Sequence, residues 1–325
     1  MLRHLEALSD GDLGALSCDA SGQRWVAAFT HDRDPGATYL YDHSTGRSRL
    51  LHRPYPDLDP AVLAPMTPVT IPARDGLRLP AYLTLPVGAD PVGLPLVLLV
   101  HGGPWFRDSW GFNPAVQLLA NRGYAVLQVN FRGSTGYGKA FLKAGIGELS
   151  GAMHDDLVDA VGWAVAEGYA DPNRLGIFGA SYGGYAALVG VTFTPDVFAA
   201  AIDVCGPSNL VTYLETLPEF ARPGLMNNWY LYAGDPSDPQ QEADLLARSP
   251  ISRADQIRTP LMVAQGANDI RVVKAESDRI VEALRGRGVE VEYMVKDNEG
   301  HGFVNPDNNI DLFRAADAFL ARHLA

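Results

Sequence analysis

The chain has 325 residues, 47% of them apolar and 20% charged, the balance of a soluble globular protein long enough to bury a substantial core. Its 38 acidic and 26 basic side chains leave a formal charge of −12, which excludes a nucleic-acid or anionic-membrane surface built on basic patches. Two cysteines, Cys18 and Cys205, are too few and too far apart for a disulfide framework or a structural zinc spacing.

The opening "MLRHLEALSDGDLG" places acidic residues where a signal peptide needs an apolar stretch, and the longest apolar run, "LPLVLLV" at 94–100, is too short to span a bilayer. The expected location is cytoplasmic. Residues 15–52 alternate in short runs ("RWVAAFT", "ATYLYDHS", "RSRLLHR") broken by the turn signals "DASGQ", "HDRDPG" and "STG". That pattern predicts a small antiparallel sheet of roughly four strands, about one propeller blade. The next stretch, "RPYPDLDPAVLAPMTP", carries five prolines and reads as a linker. The expected division is 1–60 for a β appendage with its linker and 61–325 for a second, larger unit.

From about residue 67 strands alternate with helices. An antiparallel pair ("VTIPARDG", "RLPAYLTLP") precedes the buried strand "LPLVLLVHGG" and a helix, "PAVQLLANRG", closed by Gly123. "YAVLQVNFRG", "RLGIFGA", "FAAAIDVCGP", "TPLMVAQGAND" and "VEVEYMVKD" read as strands. "HDDLVDAVGWAVAEG", "SYGGYAALVGVTF", "KAESDRIVEALRGRG" and "NNIDLFRAADAFLARHLA" read as helices, with an irregular stretch after residue 206. Continuous apolar strands alternating with helices predict an α/β fold: a mostly parallel, eight-stranded sheet covered on both faces.

The segment "GIFGASYGGYA" puts Ser181 inside a GxSxG pattern between a strand and a helix, the setting of a nucleophile elbow. Such a turn leaves the Tyr182 N–H free at a helix start, where it can hold an oxyanion. A base must follow. Of eight histidines only His301 and His323 lie downstream; His323 sits in the last helical turn, whereas His301 lies in the Gly-flanked loop "NEGHGF" after the last strand. Asp269, at the end of "TPLMVAQ", is the expected acid, with Asp203 as its competitor; Asp297 and Glu299 are too close in sequence to His301 to reach its far nitrogen. The loop "HGGPW" at 101–105 is placed to give a second oxyanion donor. Tyr213, Phe220, Met226, Trp229 and Tyr230 suggest an acyl-side pocket. No HExxH or paired His/carboxylate spacing implies a metal, and nothing implies a cofactor.

The motifs "HGGPW", "NFRGSTGYG", "DDLVDAVGWAV", "GASYGGYAAL", "SPI" followed by "TPLMVAQGANDIRV", and "EGHGF" resemble, in that order, the acylaminoacyl peptidase branch of the prolyl oligopeptidase family over roughly residues 67–325. The resemblance implies an α/β-hydrolase catalytic domain with Ser181, Asp269 and His301 as triad and oxyanion donors at Gly103 and Tyr182. It also implies that Arg271 contacts a substrate carbonyl or carboxylate. Val273 and Glu276 stand where the family usually has Pro and often Gln. The family normally carries a full propeller, and here only one blade-like unit, with the pattern "DASGQRWVAA", precedes the catalytic domain. The chain is then either a natural truncation or part of a longer protein.

An open site favours ester over amide hydrolysis, because an alkoxide leaves more readily than an unprotonated amine. The expected function is therefore a serine hydrolase acting as an esterase on small esters. The alternative is an acylaminoacyl or oligopeptidase taking acyl-peptide substrates, and outside enzymes a catalytically silent interaction module. The expected partner is a small-molecule ester or acyl-peptide, with no nucleic acid and no membrane. The unpaired edge of an orphan blade gives a reason to look for a homo-oligomer.

Overall fold

The alternating runs near the N-terminus form an antiparallel sheet in the computed structural model, which describes residues 1–324 apart from the side chain of Arg222. Helix α1 (Leu2–Glu6) precedes β1 (Asp12–Cys18), β2 (Arg24–Thr30), β3 (Ala37–Asp42) and β4 (Arg47–His52), paired in the order β1-β2-β3-β4. Leu5, Ala27, Phe29 and Tyr41 form its small core, on one face only. The linker that follows is tied down by polar side chains. Asp32 accepts the Met66 N–H at 2.8 Å, while Gln117 bonds both the N–H and the carbonyl of Ala64 and also the Asp32 carbonyl.

The second sheet has eight strands, as expected, in the order β12-β11-β10-β9-β7-β8-β6-β5. In chain order its elements are β5 (Met66–Pro72), β6 (Arg78–Thr84), β7 (Leu94–Val100), α2 (Pro114–Asn121), β8 (Ala125–Val129), α3 (Lys139–Lys143), α4 (Ala152–Ala166), β9 (Ala170–Ala180), α5 (Tyr182–Phe193) and β10 (Ala200–Val204). Then come α6 (Leu210–Thr216), α7 (Tyr230–Tyr232), α8 (Pro239–Ala247), β11 (Leu261–Gly266), α9 (Lys274–Arg285), β12 (Val291–Lys296) and α10 (Pro306–His323). Only the β5–β6 and β6–β8 pairings are antiparallel. Every residue of β8, β10 and β11 is buried, which is why these strands are apolar except at Gln128, Asp203 and Gln265 and show no alternation. Side-chain alternation then sends Leu96, Leu98 and Ile177 to the face covered by α4, α5 and α9, and Val97, Phe178 and Ile202 to the face covered by α2 and α10.

The stretch read as irregular contains three helices, and two carry cap signals. Asn209 caps α6 through the Val211 N–H, and Asp238 caps α8 through the Gln240 and Gln241 N–H groups with Pro239 at the first helical position. No helix among the described residues is long and apolar enough to cross a membrane.

A buried ion pair holds the loop after β8 against α4. Asp156, fully buried, accepts from the Arg132 N–H, Nε and Nη2 at 2.7–2.9 Å, while Nη1 reaches Asp75 at 2.8 Å. Removing one partner strands the other charge in the interior. Asp156→Ala should therefore lower unfolding free energy by roughly 3–5 kcal/mol in denaturant titration; a loss below about 1 kcal/mol, the size of an exposed pair, would contradict this account.

Candidate active site

The turn from β9 into α5 is possible only because several side chains are absent. A Cβ on Gly179 would lie 2.2 Å from the backbone of Gly183, and one on Gly183 would lie 2.2 Å from the Val100 carbonyl oxygen. Helix α5 thus starts in contact with the ends of β7 and β9. Between these glycines Ser181 takes φ 59°, ψ −119°, a sparsely populated region for a side-chain-bearing residue that costs on the order of 1–3 kcal/mol. The surrounding bonds hold it there: the Ser181 N–H donates to the Val204 carbonyl at 2.8 Å, and its own carbonyl accepts the Tyr185 N–H at 3.0 Å.

Two loops meet this serine. The Asp269 loop after β11 and the His301 loop after β12 come so close that a Cβ on Gly266 would lie 2.1 Å from the Gly300 carbonyl oxygen. His301 Nδ1 lies 2.7 Å from Asp269 Oδ2 and its Nε2 lies 3.0 Å from Ser181 Oγ. A carboxylate only accepts, so Nδ1 carries the proton and Nε2 is left to accept from the serine hydroxyl. The other oxygen of Asp269, itself buried, accepts the N–H groups of Arg271 and Val272 at 2.8 and 3.0 Å. Glu299 cannot compete for His301 because its carboxylate is turned the other way, onto the N–H groups of Val304 and Asn305 and the Asn308 amide. That closes the turn after the histidine.

Asp203 is also elsewhere. It is fully buried against Gly184 and Gly206 and accepts the Gly206 N–H at 2.8 Å, with its second oxygen unpartnered among the described residues. Burial pushes its carboxyl up to about 8. His323 remains in the last turn of α10, beside Phe319.

The Gly102–Gly103 segment passes beside the serine, since a Cβ on Gly102 would lie 3.5 Å from that of Ser181. Neither the Gly103 nor the Tyr182 N–H has a protein partner among the described residues. His101 fixes this loop. It stacks on Phe131 at 4.4 Å, donates from Nδ1 to the Gly102 carbonyl and accepts from Ser134 at Nε2. Burial lowers its pKa to about 4, so the ring is neutral at physiological pH and cannot serve as a second charge in the site.

A cleft of about 390 Å³ opens over Ser181 and His301. Tyr213, Phe220, Trp229 and Arg271 all line it, as do Gly103, Trp105 and Asn228. Met226 and Tyr230 do not; Met226 points into solvent, 76% exposed. Trp105 was missed by sequence reasoning although it sits within "HGGPW". It packs edge-on against Trp229 at 4.9 Å, and Trp229 in turn against Tyr213 at 5.0 Å, so two segments distant in sequence build one apolar wall.

Glu276 was read only as a departure from a family pattern. It is fully buried and accepts from the Ser208 N–H, the Asn209 N–H, the Thr212 hydroxyl and Arg279 at 2.6–3.1 Å. It thereby ties the helix that follows the Asp269 loop to the segment presenting Tyr213.

A family model described as the prolyl oligopeptidase family matches residues 110–325. Dipeptidyl aminopeptidase BIII of Pseudoxanthomonas mexicana is 47% identical over 330 residues, covering 99% of this chain and 48% of that protein. Dipeptidyl peptidase family member 6 of Caenorhabditis elegans is 36% identical, over 97% of this chain and 45% of that one. Among solved structures, a Mycobacterium tuberculosis puromycin-hydrolyzing peptidase superposes with TM-score 0.86 at 30% identity, over 95% of this chain and 47% of that one. The chain spans about half the length of the curated relatives it matches.

Two outcomes follow from the geometry. Glu276→Ala leaves two buried N–H groups unsatisfied, a loss of about 1–3 kcal/mol each, readable as a lowered midpoint of denaturant unfolding; Glu276→Gln, which keeps an acceptor, should lose less. The Asp203 carboxyl holds its proton up to about pH 8 in the fold but releases it near 3.8 when unfolded, so native stability falls as pH rises between those values. In Asp203→Asn that decline should flatten, and an unchanged pH slope would show that Asp203 is not its source.

Proposed function

The chain belongs to the prolyl oligopeptidase family, and on that premise we propose that it is a serine peptidase working through an acyl-enzyme. The observation that carries the proposal is the unbroken line of hydrogen bonds from Asp269 through His301 to Ser181, ending at the floor of a cleft. Ser181 attacks the substrate carbonyl as His301 Nε2 takes its proton, and Asp269 stabilises the imidazolium that forms. The N–H groups of Gly103 and Tyr182 hold the oxyanion, with the start of α5 adding its dipole. His301 then protonates the departing amine, and water, activated by the same base, releases the acyl group.

The cleft supports an apolar or aromatic residue at the acyl side of the scissile bond, set against Trp105, Tyr213, Phe220 and Trp229. Arg271 is the one guanidinium or ammonium lining it among the described residues, and no carboxylate lines it. A free N-terminal ammonium therefore finds no counter-ion there, whereas a substrate carbonyl finds a donor. This favours N-blocked or internal residues over a free amino terminus for the chain by itself. The relatives named as dipeptidyl aminopeptidases support peptide cleavage as the reaction class. Ester hydrolysis, the first expectation, becomes the secondary activity, since the same machinery acts on an easier leaving group. Residues 1–60 and 61–325 are proposed as appendage and catalytic unit.

The test pairs an N-acetyl-phenylalanine p-nitroanilide with a free dipeptidyl p-nitroanilide and p-nitrophenyl butyrate, for wild type and Ser181→Ala. Expected is turnover of the blocked anilide above the free one, lost by roughly 10⁴-fold or more in Ser181→Ala. Ester-only turnover would restore the esterase reading. No turnover, and no labelling by a fluorophosphonate, would overturn the hydrolase.

A further inference from the structure

Beside His301, buried and outside the cleft lining, sits a thiol that the proposed mechanism does not use. Cys205 follows β10, is buried, and is held at φ 47°, a conformation rare for a residue with a side chain. Its N–H donates to the Ala264 carbonyl at 2.8 Å, which ties it to β11, the strand that leads to Asp269. The sulfur, a carboxylate oxygen of Asp269 and a ring nitrogen of His301 all lie within 4.8 Å of one another. Burial and the neighbouring Asp269 carboxylate push the thiol up to about 12, so without a metal it keeps its proton.

We propose that Cys205, Asp269 and His301 form an inhibitory site for a thiophilic divalent cation, zinc being the best match. Thiolate, imidazole and carboxylate are the three ligand types zinc accepts, and three protein ligands leave a fourth, tetrahedral position for water. A zinc ion needs about 2.3 Å to sulfur and about 2.0–2.2 Å to nitrogen and oxygen. Two such bonds at the tetrahedral angle set a nitrogen and an oxygen about 3.3 Å apart, so the 2.7 Å His301–Asp269 contact has to open by about 0.6 Å. One thiolate and one carboxylate neutralise the dication, which lowers the cost of holding it in a largely buried place.

The consequence for the base follows from proton bookkeeping. Before binding, the thiol and His301 Nδ1 each carry a proton and Nε2 carries none. A cation on Nδ1 and sulfur displaces both; one proton settles on Nε2 and one leaves to solvent. His301 then presents an N–H to Ser181 and has no lone pair to accept the hydroxyl proton, so the nucleophile is not activated. Asp269 is at the same time drawn from orienting the ring to ligating the metal. The site draws its ligands from three loops, at positions 205, 269 and 301, so no spacing in the sequence could reveal it. The inhibitory consequence rests on the roles proposed above; the metal site itself does not.

Two measurements decide it. Cobalt(II) titrated into a Cys18→Ser/Ser181→Ala variant should produce a thiolate-to-cobalt charge-transfer absorption, since Cys205 is then the one remaining cysteine of the two. Absence of that band at saturating cobalt overturns the site, whether or not the protein is a hydrolase. In steady-state anilide hydrolysis, free zinc should inhibit the wild type reversibly, with full recovery on adding a chelator. Loss of an outer-shell partner already weakens metal binding by about 10–100-fold, so Cys205→Ser should need at least about tenfold more zinc for half inhibition. Equal zinc sensitivity of the two proteins overturns the inhibitory role.

Discussion

The arrangement depends on the absence of Cβ atoms where α5 begins. Gly179 and Gly183 let the strand end and the helix start approach to a distance that any other residue would block, and the price is a strained Ser181 backbone. The strain is held by two ordinary backbone bonds and by a helix buried along almost its whole length. The hydroxyl is thereby set at the carboxyl end of the sheet, with the first N–H of the helix next to it. Positioning of this kind is done before any substrate arrives, which is the condition for electrostatic stabilisation without reorganisation.

The sheet order does the rest. Strands β10, β11 and β12 lie successively outward from β9, so the loops that follow β11 and β12 reach back across the ends of their neighbours toward the serine. Each loop is tied down by its own carboxylate. Asp269 binds its own loop through the Arg271 and Val272 N–H groups, and Glu299 closes the turn after His301. The two loops touch where Gly266 faces the Gly300 carbonyl, and at position 266 again only glycine fits. The imidazole is thus placed between two fixed points, and its tautomer follows from what the carboxylate accepts.

On the other side, the Gly102–Gly103 segment is held by a neutral histidine and, through Ser134, by the loop that the Arg132–Asp156 pair fastens to α4. Burial acts in opposite directions on the neighbouring groups: it keeps His101 uncharged and Asp203 protonated to about 8. Around His301, Arg271 is the charge that lines the cleft, while Asp269 is buried and meets the imidazole from outside it. Such a site is polar along one line and apolar elsewhere, which suits a peptide carbonyl beside a large side chain.

Much of this was legible in the sequence. Apolar strands alternating with helices named the fold, and the eight-stranded, mostly parallel sheet followed from it. Ser181 was visible because a strained turn demands glycines at fixed offsets, a local constraint that leaves a local mark. Asp269 and His301 were visible as residues at strand ends, and Asp269 was preferred to Asp203 there, but the physical difference between the two aspartates is three-dimensional: one meets His301 and the other is buried against Gly184. The helices α6 and α8 were missed although Asn209 and Asp238 were standing cap signals, because the stretch lacks a long apolar period. Trp105 against Trp229, Glu276 beneath Ser208 and Asn209, and Cys205 beside His301 left no mark at all. Local backbone geometry is written in neighbouring residues and can be read from them; contacts between loops are set by how the strands stack, and only the folded sheet decides them.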